Sequence, residues 1–158
     1  MSGANASPTR SPSAIARSVN GGRSDQKITG GMTMGNILVA DDDKTCRDSI
    51  QKVLEREGYM VQAAGDVDAA LEAMRLGHFD LVVCDYRMPG KTGIDLLREL
   101  RRQRVPVPVL MISAFADSST EEAVIEFGAL ELLRKPIRRR ELIDRARMAL
   151  GGGYAGNL

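Results

Sequence analysis

The stretch VVCDYRMPG, residues 82–90, constrains this chain more than any other. Four successive apolar residues, Leu81 to Cys84, run into the carboxylate of Asp85, and Met88-Pro89-Gly90 then turns the backbone away. An unbroken apolar run of that length fits a strand buried on both faces, the pattern of a parallel sheet covered by helices. Asp85 then stands at the carboxyl end of a central strand, the edge at which open α/β sheets bind ligands.

The flanking sequence repeats the same strand-then-helix unit. Asn36 to Ala40 is a short apolar strand that ends on Asp41-Asp42-Asp43. Lys44 to Glu57 follows, with Cys46, Ile50, Val53 and Leu54 at helical spacing and Gly58 as a stop. Tyr59 to Ala64 reads as a second strand, and Asp66 as the N-cap of a helix over Val67 to Leu76. Beyond the turn at Pro89-Gly90, Gly93 to Gln103 forms a helix with Ile94, Leu96, Leu97 and Leu100 inward. Val107 to Ile112 is a fourth strand that delivers Ser113, with Pro106 and Pro108 at its start, where a missing donor is tolerated. A short helix over 119–127, a fifth strand from Leu130 to Arg134 leading into Lys135-Pro136, and a last helix from Arg138 to Leu150 complete the series. A Glu141 to Arg145 pair supports that last helix. Five strands alternating with five helices through short loops call for parallel strands joined by right-handed crossovers. One ordering of such units is the flavodoxin-like (βα)5 doubly wound sheet of strand order 2-1-3-4-5, whose crevice between strands one and three would gather Asp41, Asp42 and Asp85, and it is the architecture expected here together with the family resemblance given below.

Composition narrows the class. The 158 residues are 43% hydrophobic, enough for one good core, and with 4% aromatics and no Trp that core is aliphatic. Arg10, Arg17, Arg23 and Lys27 against Asp25 give residues 1–34 a charge of +3, leaving −2 for the remainder, which argues against a nucleic-acid partner. Cys46 and Cys84 read as reduced core thiols. No run is apolar enough for a membrane span or a signal peptide, so the expected compartment is the cytoplasm, without membrane contact. Residues 1–35, rich in Ser, Gly, Ala and Asn, are expected to be a disordered extension, 36–150 the folded domain and 151–158 a flexible tail. Met32 or Met34 serves equally well as a translation start.

Three carboxylates in one cleft repel one another and raise their own pKa values, and a hard, partly hydrated Mg²⁺ relieves that repulsion. Acids at strand ends are often plain turn formers, and Asp43, which precedes a helix, is read that way. A Ser and a Lys delivered to the same edge separate Asp41, Asp42 and Asp85 from that ordinary role. A carboxylate beside a bound cation can attack a phosphoryl group, with the Ser113 hydroxyl and the Lys135 ammonium as donors to its equatorial oxygens.

An acidic pair after strand one, Asp85 after strand three, Ser113 after strand four and Lys135-Pro136 after strand five together resemble the receiver domain of two-component response regulators, chemotaxis-regulator-like, from about Asn36 to Leu150. The resemblance implies that Asp85 takes a phosphoryl group from a histidine kinase or histidine phosphotransfer protein. It implies Mg²⁺ ligation by Asp42, Asp85 and the Arg87 carbonyl, with Asp41 acting through water, and a cis Lys135-Pro136 bond. It places output to a downstream protein on helix four, strand five and helix five, where phosphorylation shifts an equilibrium between two packings. The Arg138-Arg139-Arg140 run falls on that surface. One position departs from the family pattern: Leu132 stands where the switch aromatic is expected. Arg87 and Phe115 occupy the variable positions expected to tune dephosphorylation, and the bulk of Phe115 is expected to slow attacking water.

The expectation is therefore a stand-alone phosphoacceptor that signals through protein contacts and is not an enzyme acting on a separate substrate. Two rivals remain. Asp41-Asp42-Asp43-Lys44-Thr45 also resembles the nucleophile motif of haloacid-dehalogenase-type phosphatases, with Asp41 attacking, but that reading leaves Asp85 without purpose. A DNA-binding regulator needs an output domain beyond Leu158. His78, the single histidine, is expected to be exposed and without a catalytic role.

Overall fold

The inner strands form from runs of β-branched and aliphatic residues, the edge strands carry polar residues as well, and the computed structural model, which describes residues 34–151, pairs all five in one sheet. Strands β1 (Asn36–Ala40), β2 (Met60–Ala64), β3 (Leu81–Asp85), β4 (Val109–Ser113) and β5 (Glu131–Arg134) are parallel and ordered β2-β1-β3-β4-β5. Helices α1 (Lys44–Arg56), α2 (Val67–Leu76), α3 (Gly93–Arg102), α4 (Ser118–Glu126) and α5 (Arg139–Leu150) alternate with them. This is the flavodoxin-like order expected from the strand–helix alternation together with the resemblance.

Alternate side chains of each strand supply two separate cores. Ile37, Val39, Leu81, Val83, Leu110 and Ile112 pack with Ile50 and Leu54 of α1 and Leu142 and Ala146 of α5. Leu38, Ala40, Val82, Cys84 and Met111 face the other way, onto Ala70 and Ala73 of α2, Leu96, Leu97 and Leu100 of α3, and Val124 of α4. Each Val, Leu, Ile or Met among them, fully buried, contributes about 1.5–3 kcal/mol. The helices start where the sequence marks them: Asp43 accepts from the Thr45 and Cys46 amides, Asp66 from Ala69, Asp117 from Thr120, and Thr92 and Asp95 close a capping box on α3.

Several boundaries differ from the sequence reading for local reasons. Ladder pairing of β4 begins at Val109, because Pro108 has no N–H and offers only its carbonyl, to Val82 at 3.0 Å. Helix α3 stops at Arg102, and Arg104 adopts φ 60 while the Val105 amide returns to the Leu100 carbonyl, a left-handed stop made without glycine. Arg145 does not pair with Glu141 as expected; its Nε lies 3.1 Å from Glu131 on β5. Of the N-terminal segment expected to be disordered, residues 1–33 lie outside the described residues, as do 152–158 of the expected tail. Met34 and Gly35 join the domain, through Met34 N–H to the Gly58 carbonyl and Met60 N–H to the Gly35 carbonyl. Among the described residues no helix is long and apolar enough to cross a membrane.

Candidate functional site

Register brings the acids together. Ala40 pairs with Cys84 across β1 and β3, so the next residue on each strand, Asp41 and Asp85, stands side by side at the carboxyl edge. Asp41 and Asp85 are buried and Asp42 is exposed, and one oxygen from each of the three lies within 4.8 Å of the others. From the far side of the sheet β5 delivers Lys135, whose amide continues the ladder to the Ser113 carbonyl at 2.9 Å. Its ammonium sits 3.1 Å from Asp41 Oδ2 and 3.4 Å from Asp85 Oδ2. The Lys135-Pro136 bond is cis, as the resemblance implied.

Charge in this cleft is unbalanced. Burial raises the Asp41 pKa, but the Asp43 amide, Cys46 and Lys135 outweigh it and hold that carboxyl below the ordinary value. For Asp85 burial and then the negative charge of Asp41 win over Lys135, and its pKa is pushed up to about 6. Burial works to lower the Lys135 pKa, yet the two carboxylates hold it above its usual value. Three carboxylates thus face one ammonium, leaving two negative charges on a set of hard oxygen donors. That donor set fits a divalent cation of the Mg²⁺ kind. Asp41 has both carboxylate oxygens engaged, Oδ1 by the Asp43 amide at 2.9 Å and Oδ2 by Lys135, so Asp42 and Asp85 are the carboxylates better placed for direct ligation.

The remaining sequence candidates surround this cluster. Ser113 ends β4 at the same edge, but its hydroxyl donates to the Phe115 carbonyl at 2.9 Å and accepts the Phe115 amide at 3.1 Å. It has to rotate away from that loop to serve a group on Asp85. Arg87 follows β3 and bridges to Thr92, and its guanidinium stacks over the Phe115 ring at 5.7 Å from the centroid. Phe115 is 70% exposed. Beside Asp42 a cleft of about 500 Å³ is lined by Tyr86, Arg87, Met88, Pro89 and Thr92. His78 is away from the site and exposed, 3.1 Å from Asp80, which accepts the Asn36 amide at the entry of β1.

Two contributors escaped the sequence reading. Arg47 of α1 donates from Nη1 to the Asp41 backbone carbonyl at 2.7 Å, a contact with no signature in residue spacing. Gly93 opens α3 so close to β3 that a Cβ there would stand 2.7 Å from the Asp85 carbonyl oxygen. The GxD spacing at Gly93-Ile94-Asp95 only hints at the helix start, not at this approach.

Known proteins resemble this chain in sequence and fold. The family model described as "Response regulator receiver domain" matches residues 37–147. The alkaline phosphatase synthesis transcriptional regulatory protein SphR of Synechococcus elongatus is 41% identical over 124 residues, 72% of this chain and 48% of that protein. The transcriptional regulatory protein FixJ of Bradyrhizobium diazoefficiens is 38% identical over 104 residues, 66% of this chain and 51% of that one. The chain thus spans about half the length of these curated relatives. The solved receiver domain of the Francisella response regulator 1452 superposes with TM-score 0.72 at 32% identity, over 75% of this chain and 98% of that domain. With the family pattern matched along most of its folded length and an acidic edge built as described, the chain belongs to the response-regulator receiver domains of two-component signalling.

Proposed function

We propose that Asp85 is the phosphoacceptor of a Mg²⁺-dependent receiver comprising residues 36–150, charged by a histidine kinase or histidine phosphotransfer protein in the cytoplasm. One observation carries this reading: the β1–β3 register that sets Asp85 beside Asp41 and Asp42 with Lys135 between them. An ionised Asp85 oxygen attacks phosphorus, the bond from phosphorus to the donor's imidazole nitrogen breaks, the imidazole takes a proton from solvent, and Asp85 becomes an acyl phosphate. Asp42, Asp85 and the Arg87 carbonyl would hold the cation directly, and Asp41 through water. Bound there, Mg²⁺ supplies charge neutralisation between the carboxylates and the incoming phosphoryl oxygens. Lys135 lies within reach of Asp85 and pairs with the phosphoryl charge once it arrives. Ser113 gives up its bonds to Phe115 and donates its hydroxyl to a phosphoryl oxygen, which alters the start of the loop leading into α4.

The signal leaves through α4, β5 and α5, to a protein partner. Leu132 is packed in the core below this surface, so the output rests on aliphatic repacking rather than on an aromatic ring. The chain acts as a signalling switch and not as a phosphatase: Asp41, the nucleophile of that rival reading, is already bonded at both oxygens. A second reading is favoured by the relatives' names, which describe transcriptional regulators about twice the matched length. In it the receiver governs a DNA-binding output module, and the sequence-based exclusion of nucleic acid then applies to this domain alone. Acetyl phosphate with Mg²⁺, followed by intact mass measurement, tests the proposal. One phosphoryl adduct on wild type and none on Asp85→Ala or on wild type with EDTA is the expected result. An adduct that survives Asp85→Ala and disappears in Asp41→Asn hands the site to the phosphatase reading.

A further inference from the structure

Asp41 is tied at each of its polar groups. Its amide donates to the Ala64 carbonyl at 3.1 Å, Oδ1 accepts from Asp43, Oδ2 accepts from Lys135, and its carbonyl accepts from Arg47 Nη1 at 2.7 Å. The first three fix where Asp41 lies. The fourth does something else, because the Asp41 carbonyl belongs to the peptide that joins Asp41 to Asp42. A peptide is planar, so holding its carbonyl sets the direction in which the Asp42 Cα leaves, and with it the direction of the Asp42 carboxylate. Asp42 itself is exposed, and exposure alone leaves a side chain free to sample several rotamers. A charge-assisted bond from a guanidinium is about twice as strong as a neutral one, which suits it to this task. The guanidinium runs along Gly65, where a Cβ would come within 3.4 Å of Nη1, so the loop after β2 leaves it a lane to the carbonyl.

We infer that Arg47 is a positioning residue for the divalent cation: by gripping the Asp41 carbonyl it aims Asp42 at Asp85, while touching neither the ion nor the phosphoryl group. The inference rests on the metal-dependent reading above and adds a residue to it. Charge and position make opposite demands here. A guanidinium near a cation site repels the ion, so electrostatics alone has Arg47→Met bind Mg²⁺ more tightly. Positioning has it bind more weakly, by the roughly 10- to 100-fold seen when a group that orients a metal ligand is removed.

The experiment is a calorimetric Mg²⁺ titration of the full chain as wild type, Arg47→Met and Arg47→Lys, with urea unfolding in EDTA run alongside. Weaker binding by Arg47→Met, and a phosphorylation rate from acetyl phosphate that recovers when Mg²⁺ is raised to saturation, is the expected result. Unchanged or tighter binding by folded Arg47→Met overturns the inference. Should that variant unfold, Arg47→Lys decides: it keeps the charge, so electrostatics expects no change, whereas the shorter side chain no longer reaches the carbonyl and binding weakens. Wild type that takes up no Mg²⁺ would sink the functional reading itself, an outcome separate from wild type that binds and a variant that binds equally.

Discussion

Replacing Gly93 with alanine puts one methyl group where the first turn of α3 lies against the end of β3. That Cβ would stand 2.6 Å from Met111 Sδ, 2.7 Å from the Asp85 carbonyl oxygen and 3.2 Å from Cys84 Sγ. None of these can step aside cheaply. Met111 and Cys84 are fully buried, and the Asp85 oxygen is backbone within the sheet. Overpacking of this kind costs about 1–3 kcal/mol. Alanine returns up to about 1 kcal/mol in helix propensity, less at a helix start, so a net loss of about 1–2 kcal/mol is expected. Relief requires α3 to draw back, and Gly93 N–H is bonded to the Tyr86 carbonyl at 2.8 Å, so the segment carrying Arg87 is pulled with it. A shift approaching 1 Å at a reacting centre slows transfer by about 100-fold. The assays are urea unfolding followed by circular dichroism in EDTA, and the rate of Mg²⁺-dependent phosphorylation. Gly90→Ala is the comparison: Gly90 has φ 83 and nothing within 4 Å of its Cβ position, so it loses about 1 kcal/mol through left-handed strain without crowding β3. A Gly93→Ala protein with the wild-type urea midpoint and the wild-type rate refutes the close-approach reasoning.

Phe115→Ala removes the ring under the Arg87 guanidinium, a contact of about 0.5–1 kcal/mol, and should shorten the lifetime of the phosphorylated state by about two- to fivefold, read by mass against time after removal of the donor. Loss of the phosphoryl group at the wild-type rate counts against a shielding role. Arg104→Gly relieves a left-handed residue and should raise stability by about 0.5–1 kcal/mol in urea, whereas an unchanged or lower midpoint says that the native turn carries no strain there. Cys84 is fully enclosed, so a thiol reagent should modify it at the rate of unfolding while half-buried Cys46 reacts separately; equal reactivity of the two in native protein contradicts the packing.

How much of this was legible follows from which interactions leave a trace in residue order. Residue pattern located β1 and α2 to the residue, because the apolar run ending on Asp41 and the Asp66 cap are local signals. It misjudged the start of β4, since Val107 is apolar and buried yet stands between two prolines that cannot donate to a ladder. Asp41, Asp42, Asp85 and Lys135 were visible as polar residues ending apolar runs, and the parallel register does bring them together. Ser113 was visible in the same way, but its hydroxyl is turned to Phe115, a rotamer choice that no spacing encodes. Arg47 and Gly93 were missed for one shared reason. Both act on backbone atoms, Arg47 by bonding a carbonyl six residues back and Gly93 by leaving room beside one, and neither act requires a particular neighbour in sequence.

The most direct measurement is the position of the phosphoryl group on the chain. After acetyl phosphate and Mg²⁺, borohydride reduces an aspartyl phosphate to homoserine, and peptide mass mapping then reads which residue changed. Homoserine at position 85, and at neither 41 nor 42, with none formed in EDTA, is the expected map. Homoserine at position 41, or an unchanged residue at 85 in protein that carries the adduct, contradicts the account.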